Sequence, residues 1–406
     1  MPLAMPRSMR RLLALALVAA LFALGIAGCG SKFPLPTENR GAREYSTDHS
    51  YQMVSTWKFG GGDTIADILL TQGGGSQLFL LFTHPGVGPA PRGSVHGYAL
   101  KGKPPTPPPL VGIDFPTLFV PVALAGSASH VFVLDQGDTC MARLNPVTGR
   151  CDTVGTTRPD STVWPSQITD LSSYWRVREY GLLVGDTVST FTDTSLAYVR
   201  GVAVDDQERV YVAGTTIVLV PDAVDARIFT RTFQYRVNRY RKVAPGSGHD
   251  PYMPGTSRWV RDGNFIVEEG SGLGTLSDPH GLYWLGGMNP GGSGLFAADF
   301  GKNWVQKLSD QVSSTGLYRI DADTLMALDS PVDVSAALDG YVYLTDTGNG
   351  RVLRYDPFGQ FVQRVDVEVD SDGQPLVMPF TLAADDTLVY VGDRATNKVI
   401  RYQRRK

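Results

Sequence analysis

Aspartate is the residue this chain places most regularly where chemistry could be done. HVFVLD closes on Asp135, GLFAAD on Asp299, VYLTD on Asp346 and LVYVGD on Asp393, and a turn-forming stretch follows each. A carboxylate between a strand and a tight turn accepts backbone N–H bonds, so all four are expected to hold turns. Catalysis would need a distinguishing neighbour at one copy, and none is visible. Zinc catalysis typically takes three protein ligands, and the chain has 6 histidines to draw on. No H-E-x-x-H pair gathers them, and no G-x-S-x-G elbow, Walker loop or C-x-x-C pair occurs. Nothing in the sequence promotes a serine nucleophile.

Two charged stretches offer weaker chemistry. The run from Glu368 to Gly373, EVDSDG, has the look of a calcium loop, but Pro379 stands twelfth from Glu368, where a bidentate Glu belongs. An exposed acidic loop is expected instead. RTFQYRVNRYRK, Arg231 to Lys242, mixes basic and aromatic residues, and strand alternation with a basic outward face accounts for it. Contact with anionic glycans or lipid headgroups is the other reading.

The elements that position these residues are short strands. In Pro331 to Tyr355 a β-prone run, the turn Asp339-Gly340, an alternating strand, a Gly/Asn turn and a third strand follow one another. Gln360 to Val367 supplies a fourth. Six segments share this template. The first runs from Ile65 through LFLL to Val95–Tyr98. The second holds Val120 to Ala125, His130 to Asp135 and Met141 to Leu144; the third, Gly201 to Asp206, Val210 to Val212 and a late strand near Tyr235 to Tyr240. The fourth runs from Pro279 to Leu308, the fifth starts at Pro331, and the sixth runs from Pro379 to Tyr402. Asp299, Asp346 and Asp393 are spaced 47 apart, which marks a true repeat. Insertions at Lys101–Pro116, Thr156–Thr194 and Pro245–Ser271 interrupt it; the last two are expected between segments two and three and between three and four. Long loops on a rigid scaffold are where binding usually lives.

A proline-led first strand, a VYV-x-D second strand, a Gly/Asn turn and an RV-x-R/K third strand resemble the NHL-type β-propeller repeat over most of residues 54 to 406. The resemblance implies an all-β fold, a six-bladed β-propeller of four-stranded antiparallel blades. The sixth repeat ends after its third strand, and Val54 to Gly60, VSTWKFG, is a strand without sequence neighbours. Placing it on the last blade closes the ring and removes two unpaired edges. Related six-bladed folds include zinc-dependent amidating lyases, whose ligands sit where the inner strands enter the channel. Here those places are, within a residue, Ile65, Val120, Arg200, His280, Val332 and Phe380, with a single histidine among them. His84 is expected on the same face and His130 on the opposite one. Gluconolactonase-like relatives hold calcium in the channel, and Asp67 and Asp333 on inner strands could point there. Arg200, His280, Asp333 and Asp67 are therefore the candidate ligand-binding residues at the channel mouth.

The N-terminus gives an address. Arg7, Arg10 and Arg11 precede an apolar run, Leu12 to Ile26, that is short for a bilayer span. The run ends at Ile26-Ala27-Gly28-Cys29, which resembles the bacterial lipobox and implies cleavage after residue 28 and lipidation of Cys29. Gly30 stands where the inner-membrane retention rule wants Asp, which leans to the outer membrane. Removing the leader takes away three arginines and moves the net charge from −3 to −6, mild for this length and unsuited to a polyanion partner. Residues 29–50 read as a polar tether reaching on the order of 25 Å, and residues 51–406 as the propeller. Cys140 and Cys151 remain, in an oxidising compartment that permits a disulfide. A regular hairpin between them puts them on opposite faces, and one bulge reverses that, so the pairing stays open.

The reading is a lipid-anchored module of the bacterial cell envelope, at the periplasmic face of the outer membrane or the cell surface. It is expected to bind protein or glycan ligands without catalysis, cofactor or nucleic acid. The alternative is a lyase or hydrolase using zinc or calcium in the channel.

Overall fold

Short apolar runs cut by Gly, Asn and Asp form strands that each pair with their sequence neighbours. The structure is a computed structural model and describes residues 51–60, 62–71, 77–84, 93–99, 118, 120–135, 175–182, 187–193, 196, 198–221, 229–243, 258–287, 289–311, 316–320, 327–366, 368–369 and 372–405. All lie within the unit His49–Lys406. After β1 (Tyr51–Lys58) comes blade one, with β2 (Thr64–Leu70), β3 (Gln77–Thr83) and β4 (Gly93–Ala99). Blade two has β5 (Pro121–Gly126), β6 (His130–Asp135), β7 (Arg176–Gly181) and β8 (Thr187–Phe191). Blade three has β9 (Tyr198–Val204), β10 (Val210–Pro221), β11 (Phe229–Val243) and β12 (Arg258–Glu268). Blade four comprises β13 (Pro279–Leu285), β14 (Gly294–Asp299), β15 (Trp304–Leu308) and β16 (Gly316–Ile320). Blade five comprises β17 (Pro331–Ala336), β18 (Val342–Asp346), β19 (Arg351–Tyr355) and β20 (Phe361–Arg364). Blade six has β21 (Pro379–Ala384), β22 (Leu388–Asp393) and β23 (Lys398–Arg404).

The inner strands β2, β5, β9, β13, β17 and β21 touch one another in that order, and β21 touches β2 again. Six sheets stand around an axis, and the fold is a six-bladed propeller. Five sheets have four strands and blade one has three among the described residues. The apolar core is divided to match, into six layers that each fill the seam between two adjacent blades. Phe132 and Trp175 of blade two meet Val202 and Tyr240 of blade three, and Phe296 of blade four meets Val334 and Leu344 of blade five. Each such buried side chain contributes about 1.5–3 kcal/mol.

Ring closure follows the expected scheme. β1 pairs antiparallel with β23, with Thr56 opposite Ile400 and Trp57 opposite Val399. The Trp57 ring lies 5.9 Å from Tyr98 of blade one and 5.9 Å from Tyr390 of blade six, so it fills the seam where the chain ends meet. The acidic loop braces this strand. Glu368 accepts the N–H of Met53 at 2.8 Å and pairs with Arg405 at 2.6 Å, while Asp372 pairs with Lys58 at 2.6 Å and Lys398 at 3.1 Å.

Three expectations need correction. The third strand of blade two is Arg176–Gly181; Met141–Leu144 lies outside the described residues. RVREY at 176–180 repeats the RVLRY of blade five, and Arg176 pairs with Asp135 as Arg351 pairs with Asp346. The expected insertion Thr156–Thr194 therefore holds the third and fourth strands of blade two, and the long connection is the one from Asp135 to β7. Pro245–Ser271 contains a strand of its own, β12, the outer strand of blade three. The basic run of β11 does not present a simple basic outer face. Arg239 is buried, pairs with Asp262 at 2.6 Å and lies over the Phe265 ring at 4.9 Å; Arg236 pairs with Glu268 and Lys242 with Glu179.

Candidate functional site

Each inner strand slips register by one residue against its partner, so one extra residue per blade is pushed out of the ladder. The slips fall between Ile65 and Asp67, Pro121 and Ala123, Val199 and Gly201, Pro279 and Leu282, Pro331 and Val334, and Pro379 and Thr381. A bulge re-aims a side chain, and here six bulges, at Ala66, Val122, Arg200, His280, Val332 and Phe380, line one end of a central cavity of about 1100 Å³. Blade one thus contributes Ala66, within a residue of Ile65, and blade two Val122, two residues beyond Val120. Four of the slips start at a proline, whose missing N–H leaves no ladder bond to break.

Arg200 and His280 both line this end of the cavity. Asp278 lies between them, 3.4 Å from Arg200 Nε and 3.5 Å from His280 Nε2. The His280 ring stacks on Phe300 at 5.0 Å, and Arg394 covers the Phe380 ring at 4.6 Å. The mouth therefore combines cationic groups with flat apolar faces, a surface suited to anionic or sugar-like ligands. Asp278, Phe300 and Arg394 were not foreseen; they sit on turns whose position depends on blade geometry.

Asp67 and Asp333 border the cavity wall with carboxylates that bind across seams. Asp67 accepts Leu124 N of blade two at 2.6 Å, Ile68 N at 2.7 Å and Thr381 Oγ1 of blade six at 2.6 Å. Asp333 accepts Leu382 N of blade six at 2.8 Å and Val334 N at 2.8 Å. Burial pushes Asp67 up to about 6. Burial, and then the charge of Asp67, pushes Asp333 up to about 8. An unfolded aspartate titrates near 4, so the folded chain holds extra protons between those limits. The stability these groups contribute is greatest below about pH 4 and is lost as pH rises through the folded values. The melting temperature of the wild type is expected to fall between pH 5 and pH 8 more steeply than that of Asp333→Asn. Equal slopes from thermal melts across that range would refute the assignment.

The four strand-ending aspartates act beside the bulges, where the chain enters each inner strand. Asp135 accepts Val120 N at 2.8 Å, Asp299 accepts Asp278 N at 2.8 Å, Asp346 accepts Asp329 N at 2.7 Å and Asp393 accepts Val377 N at 2.7 Å. Each carboxylate therefore ties a second strand to the chain entering its own inner strand. Asp135, Asp299, Asp346 and Asp393 pair in register with Pro121, Pro279, Pro331 and Pro379. In blade three the equivalent residue, opposite Val199, is Gly214. No carboxylate ends the strand there, and β10 runs on to Pro221 against β11. The result is a β-ribbon that continues past the start of β9 on the mouth side. Tyr198 and Phe233 contact each other on it at 5.8 Å, and Phe233 and Val220 are 49% and 44% exposed.

His130 lies away from this mouth, as expected, at the opposite end of the inner-strand layer. Its Nδ1 is 2.9 Å from Glu208 and 3.6 Å from Glu179. Among the described residues these three are the group close enough together to share a metal ion, and Glu179 already faces Lys242 Nζ at 2.5 Å. His280, Asp333 and Asp67 do not converge with them. Cys29, Cys140 and Cys151 lie outside the described residues.

No family model matches the chain, and no curated protein is similar to it. Solved structures are similar at a distance. A nidogen/laminin complex aligns with 84% of this chain and 89% of its own at 15% identity and a TM-score of 0.41. A catalytically inactive virginiamycin B lyase from Staphylococcus aureus with quinupristin aligns over 87% and 99% at 8% identity and 0.40. A protein of unknown function from Bacteroides caccae aligns over 78% and 82% at 9% identity and 0.40.

Proposed function

We propose that this propeller is a binding module of the bacterial cell envelope, carried on a lipid at Cys29, that takes a glycan or protein ligand at the Arg200–His280 mouth. The observation that carries the reading is the blade-three ribbon. It extends past the mouth, where the second strands of blades two, four, five and six stop at an aspartate, and it leaves Val220 exposed along with Phe233, whose ring contacts Tyr198, two residues before Arg200. Exposed aromatic side chains next to a cationic rim are what stack on sugar rings and hold anionic groups. The lipobox-like leader and the polar tether place such a module against a membrane, and nothing in the charge balance favours nucleic acid.

The test uses an array of neutral and acidic oligosaccharides together with photo-crosslinking from position 233 in cells. Binding is expected to weaken at least about tenfold in Arg200→Ala and in Phe233→Ser, a loss of about 1.4 kcal/mol, with unchanged melting temperatures. Binding that is indifferent to both substitutions sinks the proposal. Stoichiometric zinc or calcium in the purified protein, lost on replacing His280, Asp333 or Asp67, would favour a metal-dependent lyase or hydrolase instead.

A further inference from the structure

Three side chains at the ends of successive strands in blade one form one hydrogen-bonded chain. Asp63 precedes β2, His84 follows β3, and Ser94 is the second residue of β4. Pairing of Thr64 with Thr83 and of Phe82 with Ser94 brings all three to the same end of the sheet. His84 Nδ1 lies 2.5 Å from Asp63 Oδ1, and His84 Nε2 lies 3.1 Å from Ser94 Oγ. His96, two residues along the same face of β4, places its Nε2 3.0 Å from the same Oγ. Asn397 of blade six anchors the turn, donating to the Asp63 carbonyl at 2.5 Å and accepting Ile65 N at 3.3 Å.

The chemistry of the partners assigns the protons. A carboxylate at Nδ1 requires that nitrogen to carry hydrogen, so neutral His84 presents its lone pair at Nε2. Ser94 donates its hydroxyl proton there. The hydroxyl has no second proton, so His96 Nε2–H must donate to Oγ. This is the order of an orienting carboxylate, a general base and a nucleophile, with a donor beside the reacting oxygen. The Asp63 and His84 side chains are 40% and 32% exposed, so a small substrate can approach.

We propose that Ser94, His84 and Asp63 hydrolyse carboxylic esters. Ser94 Oγ attacks the ester carbonyl carbon while its proton passes to His84 Nε2. The bond to the alcohol oxygen breaks, and that oxygen leaves with the proton from His84. Water then gives a proton to His84 Nε2 and adds to the acyl carbon. Oγ recovers the proton as the bond to Ser94 breaks and the carboxylic acid departs. Asp63 holds the imidazole in the required tautomer throughout, and the His96 N–H fixes the position of the Ser94 hydroxyl. The activity is separate from ligand binding at the Arg200–His280 mouth and does not depend on it.

The full chain is tested with p-nitrophenyl acetate and with a fluorophosphonate probe followed by peptide mass spectrometry. A phosphonyl adduct on Ser94 is expected, absent from His84→Ala. Ester hydrolysis is expected to fall about 100-fold or more in Ser94→Ala and in His84→Ala, with the Ser94→Ala melting temperature unchanged. An unmodified Ser94, or hydrolysis that survives Ser94→Ala, overturns the assignment. Hydrolysis and ligand binding at the mouth are read separately on the same protein, so failure of the mouth-binding reading and failure of the esterase reading are told apart.

Discussion

Gly201→Ala is expected to be among the most damaging single-methyl additions in the ring. A Cβ at Gly201 would lie 2.0 Å from the carbonyl oxygen of His280, in the inner strand of the next blade. The atom in the way is backbone and cannot turn aside as a side chain would, so the two blades must separate. The seam between blades three and four, built on Tyr211, Phe265, Leu282 and Leu295, would open with them. A cost of about 3 kcal/mol is expected, which lowers the melting temperature by about 4 °C in a folded unit of this length. Gly263→Ala is the control, since a Cβ there meets nothing within 4 Å, and its effect is expected within about 0.5 kcal/mol. Thermal melts of the two variants decide the matter, and similar midpoints would show that blade packing at Arg200 and His280 is looser than described. Because those residues flank the contact, ligand binding at the mouth should weaken with Gly201→Ala in step with stability.

Removing β1 is expected to prevent folding outright. The strand supplies the outer edge of blade six and fills the seam with blade one through Trp57. It also reaches blade five, where Tyr51 and Tyr343 hydroxyls lie 2.9 Å apart in a buried contact. Burial of Tyr51, Met53 and Trp57 alone contributes roughly 5 kcal/mol, a sum comparable with the whole stability of an ordinary domain, about 5–15 kcal/mol. Loss of the strand also exposes the edge of β23, a template for aggregation. A chain beginning at residue 60 is expected to show no cooperative melt and to elute as aggregate, whereas one beginning at residue 49 melts as the full chain does. A peptide of residues 51–58 added in trans should restore part of the transition. If the shorter chain melted within a few degrees of the longer one, closure by the two chain ends would not be what holds the ring.

Blades four, five and six were legible residue by residue because each keeps its proline, its strand-ending aspartate and its third strand within 47 residues of the next. Blade two was not. Its third strand carries the repeat's own signature, RVREY at 176–180, but follows Asp135 after a long insertion, and proximity favoured the nearer Met141–Leu144. Matching on the arginine that pairs with Asp135 would have found it. Blade three was misread for a related reason. With Gly214 in place of an aspartate the second strand runs on to Pro221, so Val210–Val212 and Tyr235–Tyr240 mark only parts of β10 and β11, and β12 lies inside the stretch read as an insertion.

Arg200, His280, Asp67 and Asp333 were singled out as inner-strand residues, and they do border one cavity. Which of them faces the mouth turns on a one-residue bulge, and alternation with a period of two carries no mark of a single inserted residue. Asp67 and Asp333 fall one place later than the bulged residue and bond into the seams. The Asp63–His84–Ser94 chain was invisible for a stronger reason. Its members occupy no motif, and their meeting depends on the lengths of three strands and on a register that only pairing sets.

The sequence by itself determined how many sheets there are, where most of them turn, and that the chain's two ends share one sheet. Those features are local, written in turn residues, strand-ending carboxylates and a repeat of fixed length. Tertiary structure decided which side chains meet, at the channel mouth and in blade one. Such meetings rest on bulges, register and the angle between blades, which arise when six sheets pack around a common axis and are encoded at no single position.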